Sequence, residues 1–372
     1  MNKDQSNQDV QYMRRCIQLA RNGEGTCSPN PKVGALLVYN HTIIGEGWHR
    51  KAGEPHAEPN AIHSVREKEL ISKSTLYVTL EPCSHVGKTP PCVDLILKMR
   101  IPRVVIGTLD PNPLVSGRGI EKLRASGVEV LVGVETEKCH ALNAPYLDFF
   151  IEKRPRIILK WAQTSDGFID GPRRGLEEAP PLKISSDFTS MLAHKLRSEC
   201  DAILVGTQTA WKDNPKLNVR NWFGNDPLRC VIDKERKLPS HLHLFDGSIP
   251  TVVFTEKSAD SKDGIQWKSV PFDTNFLTHL LDELYRMKKM VLLVEGGAKL
   301  LQSFLDQNLW DEVYFENGPL QIGRGVKAPS FLFHDPICKQ TYTYGSGENC
   351  RQIRHFVKKQ KCKPLVTDMT QI

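Results

Sequence analysis

The sequence that decides the fold of the first half runs from residue 56 to residue 92 and reads HAEPNAIHSVREKELISKSTLYVTLEPCSHVGKTPPC. It begins with His56-Ala57-Glu58, and its end contains Pro82-Cys83 and then Cys92. One imidazole and two thiolates are three ligands for a tetrahedral zinc, one fewer than a closed structural site uses. The fourth position is then open to a water molecule, whose pKa zinc lowers to roughly 7. Glu58 provides a carboxylate that is free to carry the protons of that water.

The local pattern places these residues on regular elements. Residues 56–66 predict a helix whose first turn carries the histidine and the glutamate, and Thr75–Leu80 predicts a buried strand that leads to the second ligand. Pro82 suits the first turn of a helix that opens there, where Cys83 would gain from the helix dipole. The short signature of a zinc deaminase is His-x-Glu with Pro-Cys-x-x-Cys. Eight residues separate the two cysteines here, so the second half departs from that signature, while the chemistry still predicts a zinc deaminase.

A structural zinc site is the alternative at these residues. One histidine and two cysteines can be three members of a closed four-ligand site, and His85, which lies between the cysteines, is the obvious fourth member. Metal-bound His85 would displace the water, and the deaminase interpretation would weaken. Glu58 argues against a zinc-stabilised binding protein, because a structural site needs no proton carrier beside its ligand.

The composition is that of an ordinary globular protein, long enough for two domains. The chain has 372 residues, of which 40% are hydrophobic and 25% are charged. No run approaches the ~18 apolar residues of a membrane helix, and the polar N-terminus lacks a secretory hydrophobic region. We therefore expect a cytoplasmic protein without a membrane partner. The net charge of +7 fits a protein that handles anions, without identifying them.

Cysteine usage agrees with a reducing compartment. Only Cys83 and Cys92 carry a motif, and the remaining cysteines are expected as free thiols, many of them buried. The remaining cysteines are Cys16, Cys27, Cys139, Cys200, Cys230, Cys338, Cys350 and Cys362. Lysines cluster between residues 358 and 363, where a solvated tail is favoured over a nucleic-acid arm. Residues 359–372 are therefore predicted to be a mobile tail.

Apolar periodicity predicts strands that alternate with helices, and hence an α/β fold. In the first half the predicted helices are 9–21, 56–66, 91–99, 120–126 and 136–150, and the predicted strands are 34–39, 43–48, 75–80, 104–107 and 128–132. In the second half the predicted helices are 187–198, 276–288 and 298–307, and the predicted strands are 157–159, 202–205, 228–232, 251–254 and 291–294. The charged run from Glu152 to Arg156 interrupts the apolar pattern. We place a domain boundary there, between domains 1–152 and 156–358.

Several motifs in the first half resemble the bifunctional riboflavin-biosynthesis deaminase-reductase family. They are Gly47-Trp48-His49, Gly53, His56-Ala57-Glu58, the run from Glu81 to Cys92, and Asp110-Pro111-Asn112-Pro113. The resemblance implies a cytidine-deaminase-like first domain, which in this family uses the long cysteine spacing. It implies as partner a small-molecule pyrimidine with a ribosyl 5-phosphate, which loses its 2-amino group as Glu58 transfers protons to the ring and the amine. By match to the motifs, the residues that line its pocket are Asn30, His49, His85, Lys88, Asp110 and Asn112.

The second half carries weaker signals. Val294-Glu295-Gly296-Gly297 ends a strand and opens a helix, so backbone N–H groups there can approach a cofactor phosphate. No GxGxxG is present to support a Rossmann domain. Segments such as Ser165-Asp166-Gly167 and Gly206-Thr207-Gln208-Thr209 resemble the reductase half of the same family, which is related in fold to dihydrofolate reductase. The resemblance implies NADPH, held by Gln163, Lys183, Thr209, Asp213, Gly296 and Gly297. It implies that Arg197, Leu217, Arg220 and Glu295 face the substrate, with the arginines on its phosphate.

One segment departs from the family pattern. The family commonly has Trp-Ile-Thr-Ser before its first reductase helix, and this chain has Lys183-Ile184-Ser185-Ser186. A lysine in place of the aromatic residue leaves a deaminase with an inactive reductase half as an alternative. A nucleic-acid deaminase, such as a tRNA adenosine deaminase, is the other alternative, although the sequence shows no basic, aromatic-rich stripe for a splayed-out base. A homo-oligomer is compatible with the sequence, which does not set the oligomeric state.

Overall fold

The computed structural model describes residues 3–84, 90–113, 115–175, 178–257, 260–261, 264–331, 336–347 and 350–358. The chain divides into two compact units, with an N-terminal unit that ends at Glu152 and a C-terminal unit that begins at Lys153. His85 and Lys88, and the predicted tail 359–372, lie outside the described residues. None of the described helices is both long enough and apolar enough to cross a bilayer.

The N-terminal unit is built around one five-stranded mixed sheet. Its strands are β1 (Gly34–Tyr39), β2 (Thr42–Trp48), β3 (Thr75–Leu80), β4 (Arg103–Thr108) and β5 (Glu129–Val132). Its helices are α1 (Lys3–Ala20), α2 (Ala57–Ser64), α3 (Cys92–Lys98), α4 (Arg118–Ala125), α5 (Thr136–Leu142) and α6 (Ala144–Glu152), with 3-10 turns at Arg21–Gly23 and Lys68–Lys73. The strand order is β2-β1-β3-β4-β5. Strand β1 pairs antiparallel with β2 and β3, whereas β3, β4 and β5 run parallel.

Helices cover both faces of this sheet, and the alternation along each strand explains why. Leu37 and Val78 point to a core that includes Ala61 and Ile62 of α2, while their neighbours Leu36 and Tyr77 point to a core on the opposite face that includes residues of α1. A strand that is buried on both faces is apolar at nearly every position, as β3 and β4 are. The predicted α/β/α layering of the first domain is therefore confirmed.

The C-terminal unit is built around a nine-stranded sheet. Its strands and those of a small second sheet are β6 (Arg156–Gln163), β7 (Phe168–Asp170), β8 (Ala202–Val205), β9 (Leu228–Ile232), β10 (Thr251–Thr255), β11 (Ile265–Ser269), β12 (Val291–Gly296), β13 (Glu312–Asn317), β14 (Val326–Lys327), β15 (Pro336–Tyr344) and β16 (Arg351–Lys358). Its helices are α7 (Asp187–Ser198), α8 (Thr207–Asp213), α9 (Phe276–Arg286) and α10 (Ala298–Asp306), with a 3-10 turn at His243–Phe245.

The strand order of the large sheet is β11-β10-β9-β8-β12-β6-β13-β16-β15, and β7 pairs with β14 in a separate ribbon. The sheet is parallel from β11 to β13, and only β16 and β15 join antiparallel. Ile157, Leu159 and Trp161 of β6 share a buried core with α9 and α10. The intervening Lys160 points to the opposite face of the sheet.

Two helix predictions were wrong in detail. Residues 81–84 form no regular element, so Pro82 does not open a helix and Cys83 does not lie at a helix N-terminus. The helix begins instead at Cys92, with Pro91 as its N-cap. The helix predicted over 136–150 is two helices, α5 and α6. They separate at Asn143, whose side-chain amide exchanges two hydrogen bonds of 2.8 Å with the backbone of Lys32.

Candidate active site

His56, Cys83 and Cys92 converge in the N-terminal unit. His56 is the N-cap of α2, Cys83 follows the end of β3, and Cys92 is the first residue of α3. The Nδ1 atom of His56 lies 3.6 Å from Sγ of Cys83 and 3.4 Å from Sγ of Cys92, and all three ligand atoms lie within 4.8 Å of one another. Usual zinc–sulfur and zinc–nitrogen bond lengths at a tetrahedral angle separate such atoms by roughly 3.5 Å. The trio therefore fits one zinc ion.

The described residues contribute three members to this cluster and no fourth His, Cys, Asp or Glu. The hydrogen bond between the two thiols lowers the pKa of Cys83 and raises that of Cys92, so one sulfur is readily present as the thiolate that a metal needs. His85, the alternative fourth ligand, lies outside the described residues, so the geometry does not include it.

Glu58 lies on the first turn of α2, close to the cluster and outside its ligand set. Its side chain is buried, and burial raises its pKa, although the charge of nearby His56 opposes the shift. A carboxyl group whose pKa moves toward neutrality can both accept and return a proton. The arrangement suits the proton carrier that the sequence predicts.

His49 and Asn30 lie together beside the trio. The His49 ring packs edge-on against the His56 ring, with centroids 5.4 Å apart. His49 Nδ1 lies 3.1 Å from the carbonyl oxygen of Pro55, and Nε2 lies 3.1 Å from the side-chain nitrogen of Asn30. The ring therefore donates through Nδ1 and accepts through Nε2. Burial lowers the pKa of His49, which keeps this neutral form in place.

Asp110 and Asn112 lie on the segment that follows β4. The backbone N–H of Asn112 donates to Oδ1 of Asp110 at 2.8 Å, and the hydroxyl of Tyr146 donates to the same carboxylate at 3.1 Å. Burial raises the pKa of Asp110 to about 6. Tyr146 is a contact that the sequence analysis missed, because a tyrosine in the apolar helix α6 gives no signal of its own.

A cleft of about 910 Å3 opens in the C-terminal unit at the carboxyl ends of parallel strands. This edge is where ligands bind in open α/β sheets. The predicted site residues that line the cleft are Lys183, Thr209, Asp213, Arg220, Glu295, Gly296 and Gly297. The other three, which are absent from the described lining, are Gln163, Arg197 and Leu217. Lys160 lines the cleft as well, and its only sequence signal is a charge in the otherwise apolar run of β6.

The turn between β12 and α10 fits a phosphate group of a cofactor. Gly297 is the N-cap of α10 and has a φ of 84°, a conformation that favours glycine. A Cβ atom at Gly296 would lie 2.8 Å from Cγ2 of Thr209, which packs against the turn. The absence of side chains leaves backbone N–H groups at the N-terminus of a helix accessible from the cleft.

The guanidinium group of Arg197 is hydrogen-bonded to other residues of the C-terminal unit. Its Nε and Nη2 atoms donate to the two carboxylate oxygens of Glu295 at 3.0 and 2.5 Å, and Nη1 donates to the carbonyl oxygen of Asn218 at 3.1 Å. On the same helix, His194 accepts the backbone N–H of Arg220 at 3.3 Å. Of the two arginines predicted to bind the substrate phosphate, Arg220 lines the cleft, whereas Arg197 contacts the lining residue Glu295. Whether Arg197 also binds the substrate phosphate stays a prediction.

Two other segments border the cleft. Arg173 is buried and forms ion pairs with Asp213 and Asp170, so Asp213 is fixed at the end of α8. The exposed side chain of Lys183 pairs with Asp187 at 2.8 Å. Ser185, two residues further along, donates to the buried carboxylate of Glu316 at 2.5 Å. This hydrogen bond anchors residues 183–186, the segment that differs from the family pattern, to β13.

Comparison with known proteins identifies the family. Residues 155–340 match the RibD C-terminal domain, and residues 6–108 match the cytidine and deoxycytidylate deaminase zinc-binding region. The riboflavin biosynthesis protein RibD of Aquifex aeolicus is 40% identical over 86% of this chain and 89% of its own length. The chain belongs to the RibD family. The RibD of a Synechocystis strain is 37% identical over 87% of both chains.

A solved RibD-type structure covers both units. The diaminohydroxyphosphoribosylaminopyrimidine deaminase/5-amino-6-(5-phosphoribosylamino)uracil reductase of Thermotoga maritima is 34% identical, with a TM-score of 0.79 over 95% of this chain and 99% of that one. The predicted family, the fold class and the bifunctional deaminase-reductase of riboflavin biosynthesis are therefore confirmed. The cofactors are zinc for the deaminase half and NADPH for the reductase half. The nucleic-acid deaminase alternative is not favoured.

Proposed function

We propose that this chain deaminates 2,5-diamino-6-(5-phosphoribosylamino)pyrimidin-4-one and then reduces the ribosyl group of the product to ribityl. The observation that carries the proposal is the three-ligand cluster with Glu58 beside it, in a chain that also holds a separate cleft with the Gly296-Gly297 turn. The name of the Thermotoga maritima protein includes a deaminase and a reductase. We assign the first activity to the three-ligand cluster and the second to the cleft.

In the deaminase site, His56, Cys83 and Cys92 hold the metal, and Glu58 moves the protons. Bound zinc supplies an acidified water at neutral pH. Glu58 would accept a proton from the attacking water and pass it to a ring nitrogen as the carbon–oxygen bond forms. It would then carry the proton of the new hydroxyl group to the amine as the carbon–nitrogen bond breaks. Water is consumed and ammonia leaves, so no oxidant is needed. The residues proposed to orient the substrate are Asn30, His49, His85, Lys88, Asp110 and Asn112.

In the reductase site, the protein orients two ligands in one cleft. Bound NADPH supplies the hydride that reaches the ribosyl C1. The proposed cofactor-binding residues are Gln163, Lys183, Thr209, Asp213, Gly296 and Gly297. The proposed substrate-binding residues are Arg197, Leu217, Arg220 and Glu295. The ion pair between Glu295 and Arg197 supports the assignment of separate cofactor and substrate residues. It holds the Glu295 carboxylate at the end of β12, beside the glycine turn.

The proposed partner is a small phosphorylated pyrimidine, without a nucleic acid. A cytoplasmic location is part of the proposal, supported by the free thiols among the described cysteines. A homo-oligomer is also proposed, with no surface assigned to it.

Identification of the products tests the proposal. Purified protein is incubated with the diaminopyrimidine ribosyl phosphate, first without and then with NADPH, and the products are identified by mass spectrometry. We expect replacement of one amino group by oxygen in the first incubation, and addition of two hydrogens to the sugar in the second. Recovery of unchanged substrate from protein that contains zinc would contradict the deaminase assignment.

A further inference from the structure

Glu81 is a buried acidic residue at the end of β3, directly before Pro82 and the metal-binding Cys83. Its side chain is only 4% exposed. Its backbone N–H donates to the carbonyl oxygen of Thr108 at 3.0 Å, which continues the pairing of β3 with β4 by one residue. The carboxylate therefore lies where the cysteine-bearing segment and the segment after β4 leave the sheet together.

Three backbone N–H groups bind this carboxylate. Oε2 accepts the N–H of Asp110 at 3.4 Å and that of Gly117 at 3.1 Å, and Oε1 accepts the N–H of Gly119 at 3.2 Å. No described Lys, Arg or His pairs with Glu81. These N–H groups, two of them at the start of α4, therefore offset part of the cost of burying its charge, although burial still raises its pKa. We call Glu81 and these three N–H groups the Glu81 clamp.

The clamp fixes the backbone next to residues that are proposed to face the substrate. It holds the N–H of Asp110, while the Asp110 side chain is held by Tyr146 and by the N–H of Asn112. Asp110 is thus restrained from both its backbone and its side chain. Without the clamp, the backbone N–H of Asp110 would lose this partner, and Asp110 would be held less firmly at its distance from the metal ligands.

Close packing connects the clamp to the cysteine segment from the other side. A Cβ atom at Gly119 would lie 2.4 Å from the carbonyl oxygen of Pro82, so the first turn of α4 touches the peptide that precedes Cys83. Such contact leaves no room for one segment to shift without the other. The start of α4 is therefore packed against the metal-binding segment, and Glu81 connects both of them to the backbone of Asp110.

We propose that Glu81 is a positioning residue of the deaminase site, which sets the distance between the metal cluster and the substrate contacts of Asp110 and Asn112. The inference rests on the proposed deamination reaction and adds a residue to it that touches neither substrate nor metal. A small displacement of a substrate-positioning group lowers turnover strongly, because catalysis needs near-attack geometry.

The Glu81→Gln variant tests the proposal. Glutamine has nearly the same shape, but its amide NH2 group faces backbone N–H donors that need an acceptor. We expect the same zinc content as wild type and a fall in kcat/KM for ammonia release of about 10- to 100-fold, mainly through a higher KM. NADPH oxidation with the deaminated intermediate should stay at the wild-type rate and serves as an internal control.

Two further variants distinguish positioning from general stability. Glu46→Gln removes the carboxylate charge from an exposed ion pair with Arg15 in the same unit, and we expect wild-type deamination. Gly119→Ala disturbs the clamp from the α4 side, and we expect the same rise in KM as for Glu81→Gln. Glu81→Asp, which keeps a carboxylate, should recover part of the loss.

The outcomes separate the inference from the proposed function. Wild-type kcat/KM in Glu81→Gln, or a loss that follows zinc loss or unfolding in both Glu81→Gln and Glu81→Asp, would overturn the positioning role. Absence of ammonia release from the zinc-loaded wild-type protein would instead overturn the proposed function.

Discussion

At the scale of single residues, two buried glutamates in the N-terminal unit have different proposed roles. Glu58 is within reach of the metal cluster and is surrounded by groups that change its proton affinity. Burial also raises the pKa of Glu81, but three peptide N–H groups bind its carboxylate, and it is not a member of the ligand cluster. In this proposal one glutamate transfers protons and the other positions the backbone, and their neighbours account for the difference.

Replacement of Glu58 by glutamine should separate metal binding from turnover. Glu58→Gln keeps the ligand trio, so we expect zinc content equal to that of wild type. Loss of the proton carrier should reduce ammonia release by roughly 10²- to 10⁴-fold. The measurement is zinc analysis together with an ammonia assay, and Cys83→Ser, which should lose zinc, is the comparison. Wild-type ammonia release by Glu58→Gln would assign the proton transfer to another group.

Glu312 should make the stability of the C-terminal unit depend on pH. Burial alone would raise its pKa, but the hydrogen bond with His355 and the ion pair with Arg156 outweigh burial and hold the pKa at about 2, compared with an ordinary 4.5. Because the folded pKa is the lower one, the contribution is fully present above pH 4.5 and is lost as the pH falls toward 2. Its size is on the order of 3 kcal/mol.

Urea unfolding of wild type and Glu312→Gln measures this contribution. Five of the six tryptophans lie in the C-terminal unit, so their fluorescence reports mainly on its unfolding. We expect a large difference in unfolding free energy at pH 7 and a progressively smaller one between pH 4.5 and pH 2. A difference that is independent of pH would show that the Glu312 charge contributes nothing.

At the scale of elements, both sites lie where strands end and helices begin. His56 precedes α2 and Cys92 begins α3, while the glycine turn joins β12 to α10. Polar backbone groups are unpaired at such positions and are available to ligands. The proposed ligand contacts differ between the units: side chains would bind the metal in the first, and backbone N–H groups would bind a cofactor phosphate in the second.

The glycine turn should tolerate no larger residue. Gly296→Val places a side chain against Thr209, where even a Cβ atom has only 2.8 Å of space. We expect a KM for NADPH at least about tenfold higher, since a single lost phosphate contact of 1.4 kcal/mol has that effect. Gly171→Ala is the matched control, because a Cβ there meets no atom within 4 Å. Unchanged NADPH kinetics in Gly296→Val would remove this turn from the cofactor site.

Element predictions succeeded where a local pattern was strong. The strand β3 and the helix α7 have the predicted bounds, because apolar runs and helical spacing are local properties. Strands β15 and β16 were missed, since neither contains a continuous apolar run or a regular alternation of polar and apolar residues. The break at Asn143 was also missed, although Pro145 is a local signal for it, because a proline ends a helix at or before the residue that precedes it. The contact of Asn143 with Lys32, more than a hundred residues away in sequence, had no such signal.

At the scale of the whole molecule, sequence motifs indicated the chemistry, and the structure showed which residues hydrogen-bond to the candidate site residues. His-x-Glu and the two cysteines predicted a metal site whose atoms do converge. The pairing of Arg197 with Glu295, which lie 98 residues apart, had no sequence signal. The same holds for Glu81, because a glutamate before Pro-Cys does not reveal which amides it will bind. The sequence therefore indicates the reactive side chains, whereas the residues that hydrogen-bond to them and hold them in place are seen only in the folded structure.

The most direct test of two independent sites in one chain is a comparison of zinc-loaded and chelator-treated protein. Ammonia release and NADPH oxidation are followed separately, with the diaminopyrimidine ribosyl phosphate in one reaction and its deaminated product in the other. We predict that metal removal abolishes ammonia release and leaves NADPH oxidation with the deaminated product unchanged. Full ammonia release from metal-free protein, or no NADPH oxidation by zinc-loaded protein with the deaminated product, would contradict the account.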